Sequence, residues 1–147
     1  MNDMHAVEIL LVEDNRQDAE LTIRSLKKHK LANNVFVIED GAEALDFIFC
    51  RGKYCERDIK HSPRVVFLDL KLPLVSGLEV LRAIKQDTST RSIPVVVLTS
   101  SREDPDIKTA YELGANSYVV KPVDFESFTK AIGELGLYWL LINQPPK

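Results

Sequence analysis

The sequence predicts an α/β protein in which helices cover both faces of a doubly wound, five-stranded parallel sheet. Five runs of apolar and mostly β-branched residues have strand length: Ile9 to Val12, Val35 to Ile38, Val65 to Leu68, Val95 to Leu98, and Tyr118 to Val120. Several runs are continuously apolar, which is typical of parallel strands buried on both faces. Segments with helical spacing separate them, and this alternation favours right-handed crossovers in one parallel sheet.

Each predicted helix follows a strand and has an apolar face that repeats every three or four residues. The apolar positions are Ala19, Ile23 and Leu26, then Ala44, Leu45 and Ile48, then Leu78, Leu81 and Ile84, then Ile107, Ala110 and Tyr111, and finally Phe125, Phe128, Ile132, Leu135 and Trp139. Asp14 or Asn15 can cap the first helix. Gly114 stands where the fourth helix needs a left-handed residue at its end.

Length and composition fit one globular domain. The chain has 147 residues, of which 45% are hydrophobic and 28% charged. Its net charge of −3 argues against a nucleic-acid partner. The longest apolar run, Leu137 to Ile142, is far shorter than the roughly 20 residues of a spanning helix, and the N-terminus lacks a signal-peptide pattern. We therefore expect a cytoplasmic protein that binds neither nucleic acid nor membrane.

One connection, from Cys50 to Pro63, is long and rich in charged residues. Its low apolar content predicts a solvated loop or an extension of the second helix. Cys50 and Cys55 lie in this segment without a further Cys or His pair at zinc spacing. We therefore expect two reduced thiols rather than a disulfide or a metal clip.

Polar residues follow four of the predicted strands, at the edge where an open α/β sheet forms its ligand site. The first strand is followed by Glu13 and Asp14, the third by Asp69, the fourth by Thr99 and the fifth by Lys121. With the strand order 2-1-3-4-5, the first and third strands are neighbours. Three carboxylates, a hydroxyl and an ammonium would then converge at one edge of the sheet.

Three carboxylates at one edge repel one another, and a divalent cation would relieve that repulsion. Oxygen ligands with room for water describe a Mg²⁺ site better than a zinc or calcium cage. Acidic residues at strand ends can also simply cap the following helices, and for Glu13 and Asp14 alone that explanation is the better one. Asp69 favours the metal site, because a carboxylate between Leu68 and Leu70 at the mouth of a buried strand needs a partner.

A carboxylate beside Mg²⁺ is suited to nucleophilic attack on phosphorus, which gives an aspartyl phosphate. In such a site the metal and a nearby ammonium neutralise the phosphoryl oxygens, and a hydroxyl donates a further hydrogen bond. Lys121 and Thr99 fit these two roles.

The same motifs resemble those of response-regulator receiver domains, which have a flavodoxin-like (βα)5 fold. The motifs are Glu13-Asp14-Asn15, Phe67-Leu68-Asp69-Leu70-Lys71-Leu72-Pro73, Ser76-Gly77, Leu98-Thr99-Ser100, Gly114-Ala115, and Tyr118-Val119-Val120-Lys121-Pro122. The resemblance extends from about Glu8 to Gly136. It indicates a receiver domain over residues 1–136 and a C-terminal extension over residues 137–147.

The resemblance implies that Asp69 accepts a phosphoryl group from a phosphohistidine of a sensor histidine kinase. It also implies that Asp14, Asp69 and the backbone carbonyl of Lys71 bind Mg²⁺, with Glu13 helping through water. The expected chemistry is self-phosphorylation and autodephosphorylation only, so we expect a phosphoacceptor signalling protein rather than an enzyme.

The resemblance further implies a conformational switch. Thr99 and Lys121 would contact the phosphoryl group on Asp69, and Tyr118 matches the aromatic switch position. As Thr99 moves inward, Tyr118 would turn into the vacated space and reshape the face made by the fourth helix, fifth strand and fifth helix. The Lys121-Pro122 bond resembles the family's cis peptide.

The Cys50 to Pro63 loop and the tail resemble stand-alone regulators that partner bacterial and cyanobacterial phytochromes, so a phytochrome-type kinase is one expected partner. In the tail, Trp139, Leu140, Leu141 and Ile142 can fold back on the domain's own core or bury apolar surface against a second copy. We expect the second arrangement, a homodimer.

Three other functions fit parts of this pattern. A flavin-binding electron carrier with the same strand order would need a Ser/Thr/Gly-rich phosphate loop after the first strand, where Glu13 and Asp14 would repel the phosphate. A phosphatase or mutase with an Asp nucleophile usually has a second acid two residues further on, where this chain has Lys71. A degenerate receiver would act as a binding module without being phosphorylated.

Overall fold

The computed structural model describes residues 7–28, 34–100 and 103–121, together with residues 126, 127, 129–131 and 134. Within them, five parallel strands form one sheet in the order β2-β1-β3-β4-β5. The strands are β1 (Ile9–Val12), β2 (Val35–Ile38), β3 (Val65–Leu68), β4 (Val95–Thr99) and β5 (Ser117–Val120). The predicted fold class and strand order are confirmed, and the predicted strands differ only in that β4 includes Thr99 and β5 begins at Ser117.

Four helices connect or follow these strands: α1 (Arg16–Lys28), α2 (Gly41–Ile48), α3 (Gly77–Gln86) and α4 (Asp104–Glu112). Residues 126, 127, 129–131 and 134 are also helical, but the five apolar residues predicted to form the face of the last helix lie outside the described residues. In the part of the chain that the structure describes, no helix is both long and apolar enough to cross a membrane.

The central strands β1, β3 and β4 are buried on both faces, since their alternate residues point to opposite sides of the sheet and helices cover each side. On one face, strand residues such as Leu10 and Val66 pack with α2, α3 and α4 through side chains that include Phe47 and Ile84. On the other face, a second set of strand residues packs against Leu26 and Ala19 of α1. This double coverage explains the continuously apolar strand runs.

Side-chain caps determine where the helices beside the carboxyl edge of the sheet begin. Asn15 Oδ1 accepts a hydrogen bond of 3.0 Å from the Asp18 N–H, so Asn15 rather than Asp14 caps α1. Ser76 Oγ accepts one of 3.3 Å from the Glu79 N–H at the start of α3. At the other end of the sheet, Gly114 follows α4 with a φ of 108°, as its position in the sequence predicts.

The connection from Cys50 to Pro63 is more ordered than its composition predicts. A short 3-10 helix spans Gly52–Tyr54, and Tyr54 and Arg57 are each only 8% exposed. Tyr54 packs edge-on against the ring of Phe47, and the Arg57 guanidinium lies 3.8 Å from the centre of the same ring. The prediction of a solvated loop is therefore wrong at these two residues, because aromatic stacking lets a cationic side chain be buried. Cys50 and Cys55 form no disulfide.

Candidate functional site

The strand ladders bring the polar residues of the carboxyl edge together. The Asp69 N–H donates to the Val12 carbonyl at 3.0 Å, which places Asp69 beside Glu13. The Lys121 N–H donates to the Thr99 carbonyl at 2.7 Å, which places those two side by side. Glu13, Asp69 and Lys121 thus follow β1, β3 and β5, and Thr99 ends β4, so the four lie at the middle and one side of the sheet.

The Lys121 ammonium is the centre of this edge. Its Nζ donates to Glu13 Oε1 at 2.6 Å, to Asp18 Oδ2 at 2.8 Å and to Asp69 Oδ2 at 3.0 Å. The Lys121 side chain is 11% exposed, and those of Glu13 and Asp69 are 2% and 9% exposed. All three N–H bonds of the ammonium are therefore directed at carboxylates in a largely dry site.

Glu13, Asp14 and Asp69 form an acidic group whose carboxylate oxygens lie within 4.8 Å of one another. Glu13 and Asp69 are buried, whereas Asp14 is exposed at the rim. Such a set of hard oxygen donors with one side open to solvent fits a divalent cation that keeps some of its waters. The predicted convergence of the three carboxylates is confirmed, and their geometry is consistent with divalent-metal binding.

The electrostatic environment of the acidic group also favours binding of a cation. Burial raises the pKa of Glu13 from 4.5 to about 7, and the charge of Asp69 adds to this effect, while Lys121 opposes it. Burial also acts to raise the pKa of Asp69, but its hydrogen bonds with Glu13 and the charge of Lys121 outweigh burial and hold that pKa below its ordinary value. Near neutral pH Glu13 therefore retains part of its proton, chiefly because burial disfavours its charged form, and burial together with Asp69 outweighs the effect of Lys121.

Lys121 itself remains charged. Burial acts to lower its pKa, but the hydrogen bonds to Asp18 and Glu13 and the charges of Glu13 and Asp69 together raise it above its ordinary value. A cation is thus held permanently beside the Asp69 carboxylate.

The backbone after Asp69 is held against the start of α3. The Lys71 N–H donates to Asp69 Oδ1 at 3.2 Å, so each oxygen of Asp69 accepts a hydrogen bond. The Gly77 N–H donates to the Leu70 carbonyl at 2.9 Å, and a Cβ at Gly77 would lie 2.1 Å from the Asp69 carbonyl oxygen. Only glycine permits this close approach of α3 to the backbone of Asp69.

Thr99 and Tyr118 connect the edge to α4. Thr99 is fully buried at the end of β4. Tyr118, in β5, is half-buried against the core, and its ring centre lies 6.5 Å from that of Tyr111 in α4. The Tyr118 N–H also donates to Tyr111 Oη at 3.1 Å. Pro122, the second residue of the predicted cis peptide, lies outside the described residues.

Asp18 is the site residue that the sequence prediction missed. The prediction considered only residues that follow strands, whereas Asp18 lies in the first turn of α1. Its position three residues after the cap Asn15 places Asp18 in the first helical turn, but no sequence pattern signals its contact with Lys121.

Comparison with known proteins gives one family and a set of close relatives. The family model described as "Response regulator receiver domain" matches residues 9–133. The chain is 41% identical to the probable methanogenesis regulatory protein FilR2 of Methanothrix harundinacea, over 94% of this chain and 86% of that protein. It is 37% identical to the response regulator Rcp1 of Synechocystis sp., over 90% of this chain and 88% of that one.

Solved structures agree with this similarity. The Mn(2+)-bound form of Rcp1 matches with a TM-score of 0.86 and 34% identity, covering 95% of this chain and 98% of that one. The phosphorylated cyanobacterial phytochrome response regulator RcpA matches with a TM-score of 0.87 and 33% identity, covering 95% and 97%. The bacteriophytochrome response regulator AtBRR matches with a TM-score of 0.73 and 55% identity, covering 92% and 96%.

Proposed function

The chain belongs to the response regulator receiver domain family, and on that premise we propose that Asp69 accepts a phosphoryl group from a phosphohistidine of a sensor kinase. The position of the Asp69 carboxylate supports this assignment most. It lies at the carboxyl end of the central strand β3, with the Lys121 ammonium 3.0 Å from one oxygen and with Glu13 and Asp14 within reach of a shared cation.

In the proposed step, an oxygen of Asp69 forms a bond to phosphorus while the phosphorus–nitrogen bond of the donor phosphohistidine breaks. The ring nitrogen keeps the electron pair of that bond, and the ring leaves as neutral imidazole with its proton on the other nitrogen. Lys121 stands beside the Asp69 oxygen that it already contacts and stabilises the negative phosphoryl oxygens. The phosphorylated relative RcpA supports this chemistry for a similar chain.

The proposed cofactor is Mg²⁺, held by Asp14, Asp69 and the carbonyl of Lys71, with Glu13 acting through water. The acidic group supports a divalent cation, and Rcp1 is described in a Mn²⁺-bound form. When bound, the cation would neutralise charge on the transferred phosphoryl group. The residues of this chain orient Asp69 and restrict water at the site.

Phosphorylation of Asp69 is proposed to act through Thr99 and Tyr118. A phosphoryl group adds roughly 1.5 to 2 negative charges and three strong acceptors, which would attract the Thr99 hydroxyl. In the β4–β5 ladder Tyr118 pairs with Val97, two residues before Thr99, and its ring contacts Tyr111 of α4. A change at Thr99 would therefore reach the exposed face of α4 and β5 as a population shift.

The proposed phosphoryl donor is a sensor kinase of the phytochrome type in the cytoplasm. The similarity to AtBRR and RcpA supports this partner.

We also propose a homodimer that uses residues 137–147. These residues lie outside the described residues, so this proposal depends on the sequence from Trp139 to Ile142. Equal monomeric sedimentation of the full chain and of a chain ending at Gly136 would contradict the dimer.

Phosphoryl labelling of Asp69→Asn tests the assignment. With acetyl phosphate and Mg²⁺, the unchanged chain should take up one phosphoryl group that is labile to hydroxylamine, and beryllofluoride should bind in its place. Asp69→Asn should take up none, while Asp104→Asn, an exposed acidic residue of α4, should label normally. Stoichiometric, acid-stable label on Asp69→Asn would contradict the assignment, and failure of the unchanged chain to bind beryllofluoride would favour the binding-module alternative.

A further inference from the structure

We propose that Asp18 is a positioning residue that holds the Lys121 ammonium in place for phosphoryl transfer to Asp69. This inference rests on the proposed function of Asp69. It assigns a role in the reaction to a helical residue outside the acidic group that surrounds the acceptor.

The contact between the two side chains is short and sheltered. Asp18 Oδ2 lies 2.8 Å from Lys121 Nζ, closer than the 3.0 Å that separates the ammonium from Asp69 Oδ2. The Asp18 side chain is 35% exposed and that of Lys121 11% exposed. A charge-assisted hydrogen bond of this length restricts the rotamers of a long, flexible lysine side chain.

Asp18 differs from the other two partners of Lys121 because it is not shared with the cation site. Glu13 and Asp69 belong to the acidic group that fits a divalent cation, whereas Asp18 does not. When a cation and a phosphoryl group engage Glu13 and Asp69, Lys121 would share the oxygens of these two residues with them. Asp18 is then the carboxylate that can keep its hydrogen bond to the ammonium unchanged.

The backbone of Asp18 is itself fixed at the start of α1. Its N–H donates to Asn15 Oδ1 at 3.0 Å, and its carbonyl accepts from the buried Thr22 hydroxyl at 2.8 Å. The anchor therefore belongs to a rigid helix that packs on the sheet through Leu26. A rigid anchor for the lysine reduces the entropy lost when the ammonium contacts the transferring phosphoryl group.

Two substitutions separate this positioning role from a simple effect of charge. Asp18→Asn removes the negative charge but keeps an oxygen that can accept from Lys121, whereas Asp18→Ala removes both. If Asp18 acts as an anchor, only the alanine variant loses function. If it acts through its charge alone, the two variants behave alike.

The kinetic test uses acetyl phosphate and Mg²⁺ with the full chain. An oxygen of Asp69 attacks phosphorus, the bond between phosphorus and the bridging oxygen breaks, and acetate leaves with the electron pair. We expect Asp18→Ala to lower the rate constant at saturating donor by about tenfold, with the half-saturating concentration changed by less than about twofold. Asp18→Asn and the control Glu20→Ala, an exposed acidic residue of the same helix, should stay within about twofold of the unchanged chain.

A second test needs neither metal nor donor. In ¹⁵N-labelled, metal-free protein the Lys121 ammonium should give a slowly exchanging signal, recognised by its loss in Lys121→Met. That signal should persist in Asp18→Asn and disappear in Asp18→Ala. An unchanged ammonium signal or rate constant in Asp18→Ala, or equal losses in the alanine and asparagine variants, would overturn the inference. If the unchanged chain is not phosphorylated at all, the proposed function fails, and the ammonium signal still tests the anchor.

Discussion

Two lysines occupy opposite edges of the same sheet, and each donates three hydrogen bonds. At the carboxyl edge, Lys121 contacts the carboxylates of Glu13, Asp18 and Asp69 at 2.6 to 3.0 Å. At the amino edge, Lys85 from the end of α3 donates to neutral oxygens at 2.6 to 3.1 Å. These are the carbonyls of Arg91 and Ile93 and the side-chain Oδ1 of Asn116.

The charge of the hydrogen-bond acceptors determines the direction in which the pKa of each lysine is shifted. Burial lowers the pKa of Lys85 from 10.5 to about 8. For Lys121 the same effect of burial is outweighed by hydrogen bonds and charges from carboxylates, so its pKa is raised. Lys85, whose acceptors are neutral oxygens, thus connects α3 to the starts of β4 and β5. Lys121, whose acceptors are carboxylates, is a permanent cation suited to bind an anionic group.

Replacing each lysine with methionine gives the largest expected contrast. Lys121→Met removes the cation beside Asp69, so phosphoryl transfer from acetyl phosphate should slow by about 10²- to 10³-fold, the usual cost of losing one electrostatic stabiliser. Lys85→Met should leave the rate within about twofold, because its contacts lie at the far edge of the sheet. The measurement is the single-turnover rate constant at saturating donor. A loss of rate in Lys85→Met that matches that of Lys121→Met would remove the distinction.

A glycine lies against each edge, and the two differ in what an added methyl group would meet. A Cβ at Gly77 would lie 2.1 Å from the Asp69 carbonyl oxygen, which cannot move without displacing the site, whereas one at Gly114 would meet the Lys85 side chain at 3.0 Å. Gly77→Ala should therefore lower the free energy of unfolding by about 3 kcal/mol.

Gly114→Ala should cost about 1 to 2 kcal/mol, chiefly because its φ of 108° is unfavourable for alanine. Urea unfolding of both variants measures the difference, with Ala42→Gly in α2 as a control for propensity alone. A larger loss for Gly114→Ala would mean that the amino edge is the more rigidly packed of the two.

The sequence predicts the sheet well because buried strands consist almost entirely of apolar residues. The residues of β1 and β3 are all buried, so apolar runs alone locate those strands. The two differences are the polar residues Thr99 and Ser117, which pair with Val120 and Val96 in the β4–β5 ladder, and a hydropathy pattern does not detect backbone pairing. Loop composition failed at Arg57, because a guanidinium that stacks on an aromatic ring is buried despite its charge.

The sequence predicted which side chains converge where they follow the ends of strands, and it missed the one that a helix supplies. Glu13, Asp69 and Lys121 each follow a strand directly, so topology alone brings them together. Asp18 reaches Lys121 only because α1 packs back along the sheet, and nothing in the local sequence gives the distance between a helix and β5. The contacts of Lys85 were likewise not predictable, because two of its three acceptors are backbone carbonyls, which no residue type marks.

The smallest predicted effect concerns how the stability contributed by Lys85 depends on pH. In the unfolded chain its pKa is near 10.5, and in the folded chain it is about 8. As pH rises from about 8 towards 10.5, the folded chain therefore loses this proton before the unfolded chain does, and the cost of burying the charge disappears.

The free energy of unfolding, compared with that of Lys85→Met at the same pH, should accordingly rise by about 1 kcal/mol between about pH 7.5 and 9.5, a value discounted for partial exposure. Urea unfolding of both chains at the two pH values measures this double difference and cancels the titration of other groups. A fall instead of a rise would mean that three neutral oxygens favour the charged form more than burial disfavours it. Lys85 and Lys121 would then differ only in degree, and the number of hydrogen bonds rather than the charge of the acceptors would determine the protonation of a buried lysine in this fold.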